Sequence, residues 1–415
     1  MPPAPLWRDR NFLILWSGRI VSAYGDEIAA LALPLLAIGT LHATPWQMGL
    51  LGAANRLPFI LIALFVGVWV DRQRRRPLLI AADLGRGLLF TSLPLAALGG
   101  LLGMPALYVV SFLLGSLAVV FDVAYQSFIP TLVGRTRLVE ANSKTGLSVS
   151  IASITGPGLA GVLVQTLTAP IALLLNAASF IASAATLGLL RTSEPTPPRE
   201  TARQPFWQQI GAGLRVVLGD RLLWANAACR ATYMFSSSAL FAVYILYLTQ
   251  NLGLSPVLLG LVFAAGGPAA FLGLLAVGPL ARRFGLGRTL LISATLAGPG
   301  DFLIPLATRG TPLAIPLLMA ATFLRGFWVT VYDLHQVSLR QAITPPHLLG
   351  RMTASVRFLI WGVTPLGALL GGWLGTTLGL RPTLIIAATG TTLACLWLLP
   401  APLRTLHTLP DPPAP

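Results

Sequence analysis

The sequence predicts an all-α membrane protein of twelve transmembrane helices, arranged as two six-helix repeats in the same orientation. Composition is the first reason. Of 415 residues 55% are apolar and only 10% charged, with a mean hydropathy of +0.77, whereas soluble domains carry about 25% charged residues. The second is the distribution of apolar runs: a run of about 20 residues crosses the hydrocarbon core as a helix. Such runs are expected at 11–39, 45–70, 77–100, 104–130, 145–167, 169–190, 222–250, 255–280, 288–308, 312–340, 352–378 and 381–400. The third is an internal repeat. GPLARRFGLGR at Gly278–Arg288 echoes GVWVDRQRRRP at Gly67–Pro77 after 211 residues. The same displacement carries Asp9-Arg10 to Asp220-Arg221, Arg19 to Arg230, Gly49-Leu50 to Gly260-Leu261, Gly115 to Gly326 and Asp122 to Asp333.

This organisation divides the chain into a first bundle at 1–190, a linker at 191–221, a second bundle at 222–402 and a disordered, Pro-rich tail at 403–415. Within the linker, Glu194–Arg203 reads as flexible. Phe206, Trp207, Ile210, Leu214, Val217 and Leu218 recur at helical spacing, as in an amphipathic helix lying in the membrane interface.

The net charge of +15 does not point to nucleic acid, because the basic residues fall on one side of the membrane. Arg8, Arg10, Arg72, Arg74–Arg76, Arg137, Lys144, Arg215, Arg282 and Arg351 lie before span 1 or in the even-numbered connections, against Arg309 and Arg381 on the other side. The positive-inside rule then places both termini in the cytoplasm of a multi-pass inner (plasma) membrane protein. The first apolar run lacks signal-peptide order and is expected to be a retained span. Cys229 and Cys395 read as packing residues. No phosphate-binding loop and no clustered His, Cys or carboxylate set with catalytic or ligand spacing is present, so neither enzyme activity, metal nor cofactor is expected.

Taken in order, Asp9 and Asp220 precede the first span of each half as N-caps. Span 1 carries Arg19, Asp26 and Glu27 inside an apolar run. At the end of span 2, Gly67 is expected to permit close helix approach, Asp71 to cap a helix or pair with Arg75, and Arg72, Arg75 and Arg76 to sit among the headgroups. Span 3 begins with the i, i+3 pair Asp83 and Arg86, near the cytoplasmic end. Span 4 carries Asp122. In span 5 Ala152, Gly156, Pro157, Ala160 and Gly161 form a small-residue seam for backbone contact. The second half repeats the plan with Arg230 in span 7 and with Arg325, Asp333 and His335 in span 10, and Gly367, Gly371 and Gly372 give span 11 a similar seam.

Two parallel six-span halves with Gly67, Asp71, Arg72, Arg75 and Arg76 between spans 2 and 3 resemble the major facilitator superfamily. Arg74 stands where that family's loop usually has a second glycine. Asp-Arg followed by paired arginines, Asn-Phe-Leu-Ile-Leu-Trp at 11–16 and Pro-His-Leu-Leu-Gly-Arg-Met at 346–352 are similar to its branch of enterobactin and macrolide exporters. Ala152, Gly156, Pro157, Ala160 and Gly161 resemble its antiporter motif, with two glycines replaced by alanine.

The resemblance implies that spans 1, 4, 7 and 10 line a central cavity, and those spans hold most of the intramembrane charge. An ionised group there costs roughly 2.5 to 3.5 kcal/mol. Asp26 is expected either to exchange protons with the cargo cycle or to form a static pair with Arg19; Glu27 points about 100° away around the helix. Asp122 and Asp333 suit latches to arginines across the halves or proton carriers. Arg19 and Arg230 suit an anionic cargo or neutralisation by nearby carboxylates. Arg325 and Asp333 join the cavity set, and His335 is either a titrating group or a hydrogen-bonded helix residue. Tyr24, Tyr125, Tyr233 and Trp328 offer cavity walls or packing. The function expected is proton-coupled export of a small amphipathic drug or siderophore, by a chain acting as a monomer with lipid, protons and cargo as its partners. Uptake, uniport and a non-transporting receptor or scaffold are the alternatives.

Overall fold

In the computed structural model, residues 6–134, 137–190, 206–345 and 348–400 are described, and all regular structure among them is helical. The flexible stretch expected at 194–203 and the tail expected at 403–415 lie outside the described residues, as does the side chain of Asp71.

The first half contains helices Arg10–Leu41 (span 1), Pro45–Leu61 with Ala63–Asp71 (span 2), Arg75–Leu98 (span 3), Met104–Val133 (span 4), Leu138–Leu167 (span 5) and Ala169–Leu189 (span 6). The second contains Arg221–Asn251 (span 7), Pro256–Phe284 (span 8), Leu286–Leu306 (span 9), Ala314–Ile343 (span 10), Leu349–Thr377 (span 11) and Leu380–Leu398 (span 12). Eleven of these are long and apolar enough to cross a membrane. Span 2 is the exception because it breaks at Ile62 into pieces of 17 and 9 residues. Both first spans begin as their sequences require: Asp9 accepts from the Phe12 amide, and Asp220 from those of Leu222 and Leu223, satisfying donors that a helix start leaves unpaired.

The chain packs as two units. One comprises residues 1–44, 54–200 and 255–264, and the other 45–53, 201–254 and 265–415. Each therefore includes the opening turns of one span from the opposite half of the sequence. In the first unit the opening turns of span 8 lie on span 5, where a Cβ on Gly161 would stand 3.1 Å from the Cα of Gly260. The Gln165 side chain accepts from the Val257 amide there. In the second, the opening turns of span 2 lie on span 11, where a Cβ on Gly372 would stand 2.9 Å from the Cα of Gly49. The Trp46 amide donates to Thr376. Gly49 and Gly260 are repeat partners, and so are Gly161 and Gly372; one backbone-to-backbone contact is thus built twice. Gly115 and Gly326 are another such pair: each lets its span close on the backbone of its neighbour, at Asn55 and Gly266 respectively.

The core of the first unit gathers Phe12, Leu15, Leu79, Phe121, Tyr125 and Phe128. In the second, one core gathers Cys229, Tyr233, Leu290 and Tyr332. A separate cluster seats the helix Phe206–Gly219 through fully buried Val217, against Met352 and Val356 of span 11 and Leu223 of span 7.

Candidate functional site

Span 1 is where charge and access coincide. Arg19 and Asp26 are two helical turns apart on nearly one face, and their side chains approach to 3.6 Å. That distance is an ion pair without a good hydrogen bond. Asp26 remains 49% exposed and Arg19 18%. The Arg19 guanidinium also lies 5.8 Å from the ring centres of Phe121 and Tyr125. Glu27, one residue on, turns towards span 5. A Cβ on Gly156 would stand 2.7 Å from the Glu27 Cβ, so the glycine of the seam makes room for a carboxylate. The Tyr24 hydroxyl bonds Thr155 of span 5 at 2.9 Å. Asp122 is exposed on span 4 and lies within electrostatic range of Asp26.

The seam residues divide their labour. Ala152 and Ala160 are buried, Gly156 accommodates Glu27, and the backbone at Pro157 and Gly161 meets span 8.

Several sequence expectations are corrected, and for the tyrosines, Trp328 and His335 the structure selects one of the alternatives. Asp333, expected to latch across the halves, bonds Arg230 of span 7 in its own half at 2.6 Å, because the two long side chains meet between spans 7 and 10. Arg325, expected in the cavity set, donates from Nε to Asp301 of span 9 at 2.9 Å and pairs with it again through Nη2. Of the two alternatives for Tyr125 and Tyr233, cavity walls or packing, the structure takes packing: they are 8% and 6% exposed and belong to the cores. Trp328 packs edge-on to Phe327, with ring centres 4.8 Å apart. Gly67, expected to allow close approach, has among the described residues no neighbouring atom within 4 Å of where a Cβ would stand. Arg76 does more than mark topology: it donates to the carbonyls of Leu187 and Gly188 at 2.8 and 2.6 Å, capping the last turn of span 6. His335 is 4% exposed with Nδ1 2.7 Å from the Val331 carbonyl of its own helix.

Asp301 was not anticipated. It is fully buried, held by Arg325 and by the Thr391 hydroxyl at 3.0 Å. A carboxylate inside the apolar run of span 9 was the available signal. The pair Asp83 and Arg86 was visible only as a spacing; the structure buries both completely or nearly so, at 0% and 4% exposure. Among the described residues no cluster of three His, Cys, Asp or Glu could hold a metal ion.

A family model described as transmembrane secretion effector matches residues 2–412. The chain is 26% identical over 394 residues to the multidrug efflux pump Tap of Mycolicibacterium fortuitum, covering 90% of this chain and 91% of that one. It is 28% identical over 349 residues to the enterobactin exporter EntS of Salmonella typhi, covering 82% and 80%. Among solved structures, a bacterial homologue of the iron transporter ferroportin in an inward-facing state superposes with a TM-score of 0.78 at 16% identity, covering 96% of this chain and 99% of that one. A D-xylose-proton symporter superposes at 0.72 with 14% identity, covering 96% and 98%. At these identities the structures speak for the fold alone.

Proposed function

Because the chain belongs to the transmembrane secretion effector family of major facilitator transporters, we propose that it is a proton-coupled exporter of a small amphipathic molecule, a drug or a siderophore. It would work by alternating access in the inner membrane with both termini in the cytoplasm. That it is a membrane transporter follows from the family; coupling, direction and cargo class are this reading's own. The chemistry named for its relatives, multidrug efflux and enterobactin export, supports the cargo class.

One observation carries the coupling: the Arg19–Asp26 pair is loose. Its 3.6 Å separation and the 49% exposure of Asp26 contrast with the tight pairs Arg230–Asp333 and Arg325–Asp301. A carboxylate with an arginine beside it but not locked to it can release its proton on one side of the membrane and recover it on the other. Each proton entering with a 100 mV potential supplies about 2.3 kcal/mol, which sustains roughly a 40-fold cargo gradient.

The test is cargo-stimulated proton flux in proteoliposomes, screening hydrophobic antibiotics and siderophores, with Asp26→Asn beside the natural protein. The expected result is flux that appears with one cargo and vanishes in Asp26→Asn while that cargo still binds. Unchanged flux in the variant removes Asp26 from the mechanism, and cargo movement without proton flux replaces the antiporter with a uniporter.

A further inference from the structure

The residues ahead of span 1 are built into the first bundle. Segments before a first helix usually fray unless something ties them down. Here Leu6–Arg8 forms a single 3-10 turn, and Leu6 is fully buried in the core that also holds Val133, Ala141 and Leu190. Polar contacts fasten this turn to the connection between spans 4 and 5 and to the first turns of span 5. The Leu6 amide donates to Glu140 at 3.2 Å. The same carboxylate oxygen pairs with Lys144 at 3.2 Å, and the Lys144 ammonium lies 3.4 Å from the centre of the Trp7 ring. Trp7 packs edge-on against Trp16, whose indole N–H donates to the Lys144 carbonyl at 3.3 Å. Asp9, besides capping span 1, pairs with Arg137 at 3.2 Å.

The repeat shows that this strap belongs to the fold and is not an accident of a chain end. Displaced by 211 residues, Leu6 becomes Val217, Asp9 becomes Asp220 and Ala141 becomes Met352. Val217 is fully buried in one cluster with Met352, as Leu6 shares a core with Ala141. The end of the helix Phe206–Gly219, read from the sequence as part of a linker, is therefore the second half's version of the same strap. The fastening differs. Trp7, Glu140 and Lys144 correspond to Leu218, Arg351 and Ser355, so the ring, the carboxylate and the ammonium belong to the first half alone. Lys144 is also the only lysine in the chain. Its side chain is 12% exposed, held between a ring face and a carboxylate, an arrangement that strengthens as the cation is shielded from water.

Deeper along the helices the same two spans meet again. Tyr24 of span 1 bonds Thr155 of span 5 at 2.9 Å, and Glu27 lies against the notch at Gly156. The contacts Asp9–Arg137, Trp16–Lys144, Tyr24–Thr155 and Glu27–Gly156 advance together along both spans. We propose that Leu6–Asp9 is a clasp: it closes over Lys144 and holds span 5 on span 1 in the register at which Tyr24 reaches Thr155 and Glu27 enters the notch. The clasp touches neither Asp26 nor Glu27 and acts on them only through the helix it positions. It does not depend on proton exchange at Asp26, because it sets the same register whatever ion is coupled.

Because Lys144 is the only lysine, acetylation by a water-soluble amine reagent marks the clasp at one side chain, which peptide mass spectrometry separates from the chain's α-amino group. The assay uses the full-length protein in phosphatidylcholine nanodiscs. The expected result is slow acetylation of the natural protein and a rate roughly tenfold higher in Leu6→Ser, which removes the buried anchor, and in Trp7→Ala, which removes the ring. Trp7→Phe keeps a ring face and should stay near the natural rate. Trp7 is 59% exposed, so Trp7→Ala folds and carries the comparison even where Leu6→Ser does not. No acceleration in Trp7→Ala overturns the clasp. Thermal unfolding of the same preparations tests the register. Thr155→Val should lower the melting temperature of the natural protein and add little in Trp7→Ala, because an open clasp has already released the Tyr24 bond; fully additive losses, the behaviour of independent sites, overturn the register. Neither measurement involves cargo or protons, so their failure leaves the proposed coupling standing, and failure of the coupling leaves the clasp standing.

Discussion

Replacing Arg325 by methionine separates a structural bolt from a cargo-binding charge. Asp301 is 0% exposed; one oxygen takes both guanidinium contacts from Arg325 and the other takes the Thr391 hydroxyl. In Arg325→Met the carboxylate keeps a single hydroxyl donor and no counter-charge. Breaking a buried pair in this way costs about 3 to 5 kcal/mol, most of it the penalty of the stranded ion. The lost contact between the guanidinium and Phe241, 4.8 Å from the ring centre, falls within that range. Removing both charges should avoid most of the cost. In Asp301→Val/Arg325→Met no ion is stranded, and Thr391 still donates to the Ala388 carbonyl at 3.0 Å. The double variant should therefore lie within about 1 to 2 kcal/mol of the natural protein. The assay is thermal unfolding in detergent followed by size exclusion, with proteoliposome transport measured on the same preparations. A double variant no more stable than Arg325→Met refutes the bolt. So does a double variant that folds normally but no longer binds cargo, since Arg325 would then be a ligand contact.

Other consequences are smaller in scope. Gly161→Val and Gly372→Val, whose Cβ atoms would stand 3.1 Å from Gly260 and 2.9 Å from Gly49, should each lower stability by about 1 to 3 kcal/mol through overpacking. Gly158→Ala and Gly67→Ala, with nothing within 4 Å, should change thermal stability little; equal losses in all four would refute the contact assignment. Arg76→Met forfeits two charge-assisted hydrogen bonds to the end of span 6 and should cost on the order of 1.5 to 3 kcal/mol in detergent unfolding. His335→Gln should leave the pH profile of transport in place, because the imidazole bonds a carbonyl of its own helix; a displaced profile would bring His335 into the coupling path.

The fold was legible because a bilayer leaves so few solutions. Long apolar runs must be helices, and residues such as Gly115 and Gly326 recur at one displacement because each half needs the same close backbone approach. The caps at Asp9 and Asp220 were equally readable, since a carboxylate before an apolar run has one obvious use. Side-chain partners were harder. Arg325 and Asp301 lie on different spans, and no spacing reveals which faces of two helices will meet. Asp333 was matched to Asp122 by symmetry, yet it found its arginine within its own half. Tyr125 and Tyr233 occupy spans expected to line a cavity, but each helix has an inward and an outward face, and both rings turn into the cores. Gly67 misled for the opposite reason: a family pattern identifies the residue without saying what it touches in this chain.

The repeat shows how one ancestral arrangement of charge can diverge. Arg19 and Arg230 occupy equivalent positions, as do Asp122 and Asp333. In the second half Arg230 and Asp333 bond each other at 2.6 Å. In the first, Arg19 pairs instead with Asp26 on its own helix at 3.6 Å, and the position equivalent to Asp26 is Ser237. Where the second half has a tight bond between helices, the first has a looser pair within one helix. Burial has diverged in parallel: Asp83 and Arg86 are alanines in the second half, while Asp301 and Arg325 correspond to Phe90 and Leu114 in the first. Glycines that set backbone approach are shared between the halves, because both must pack the same way. The charged residues around Asp26 are not shared, and on the proposed reading of Asp26 their concentration there would confine proton exchange to the first half of a structurally repeated molecule.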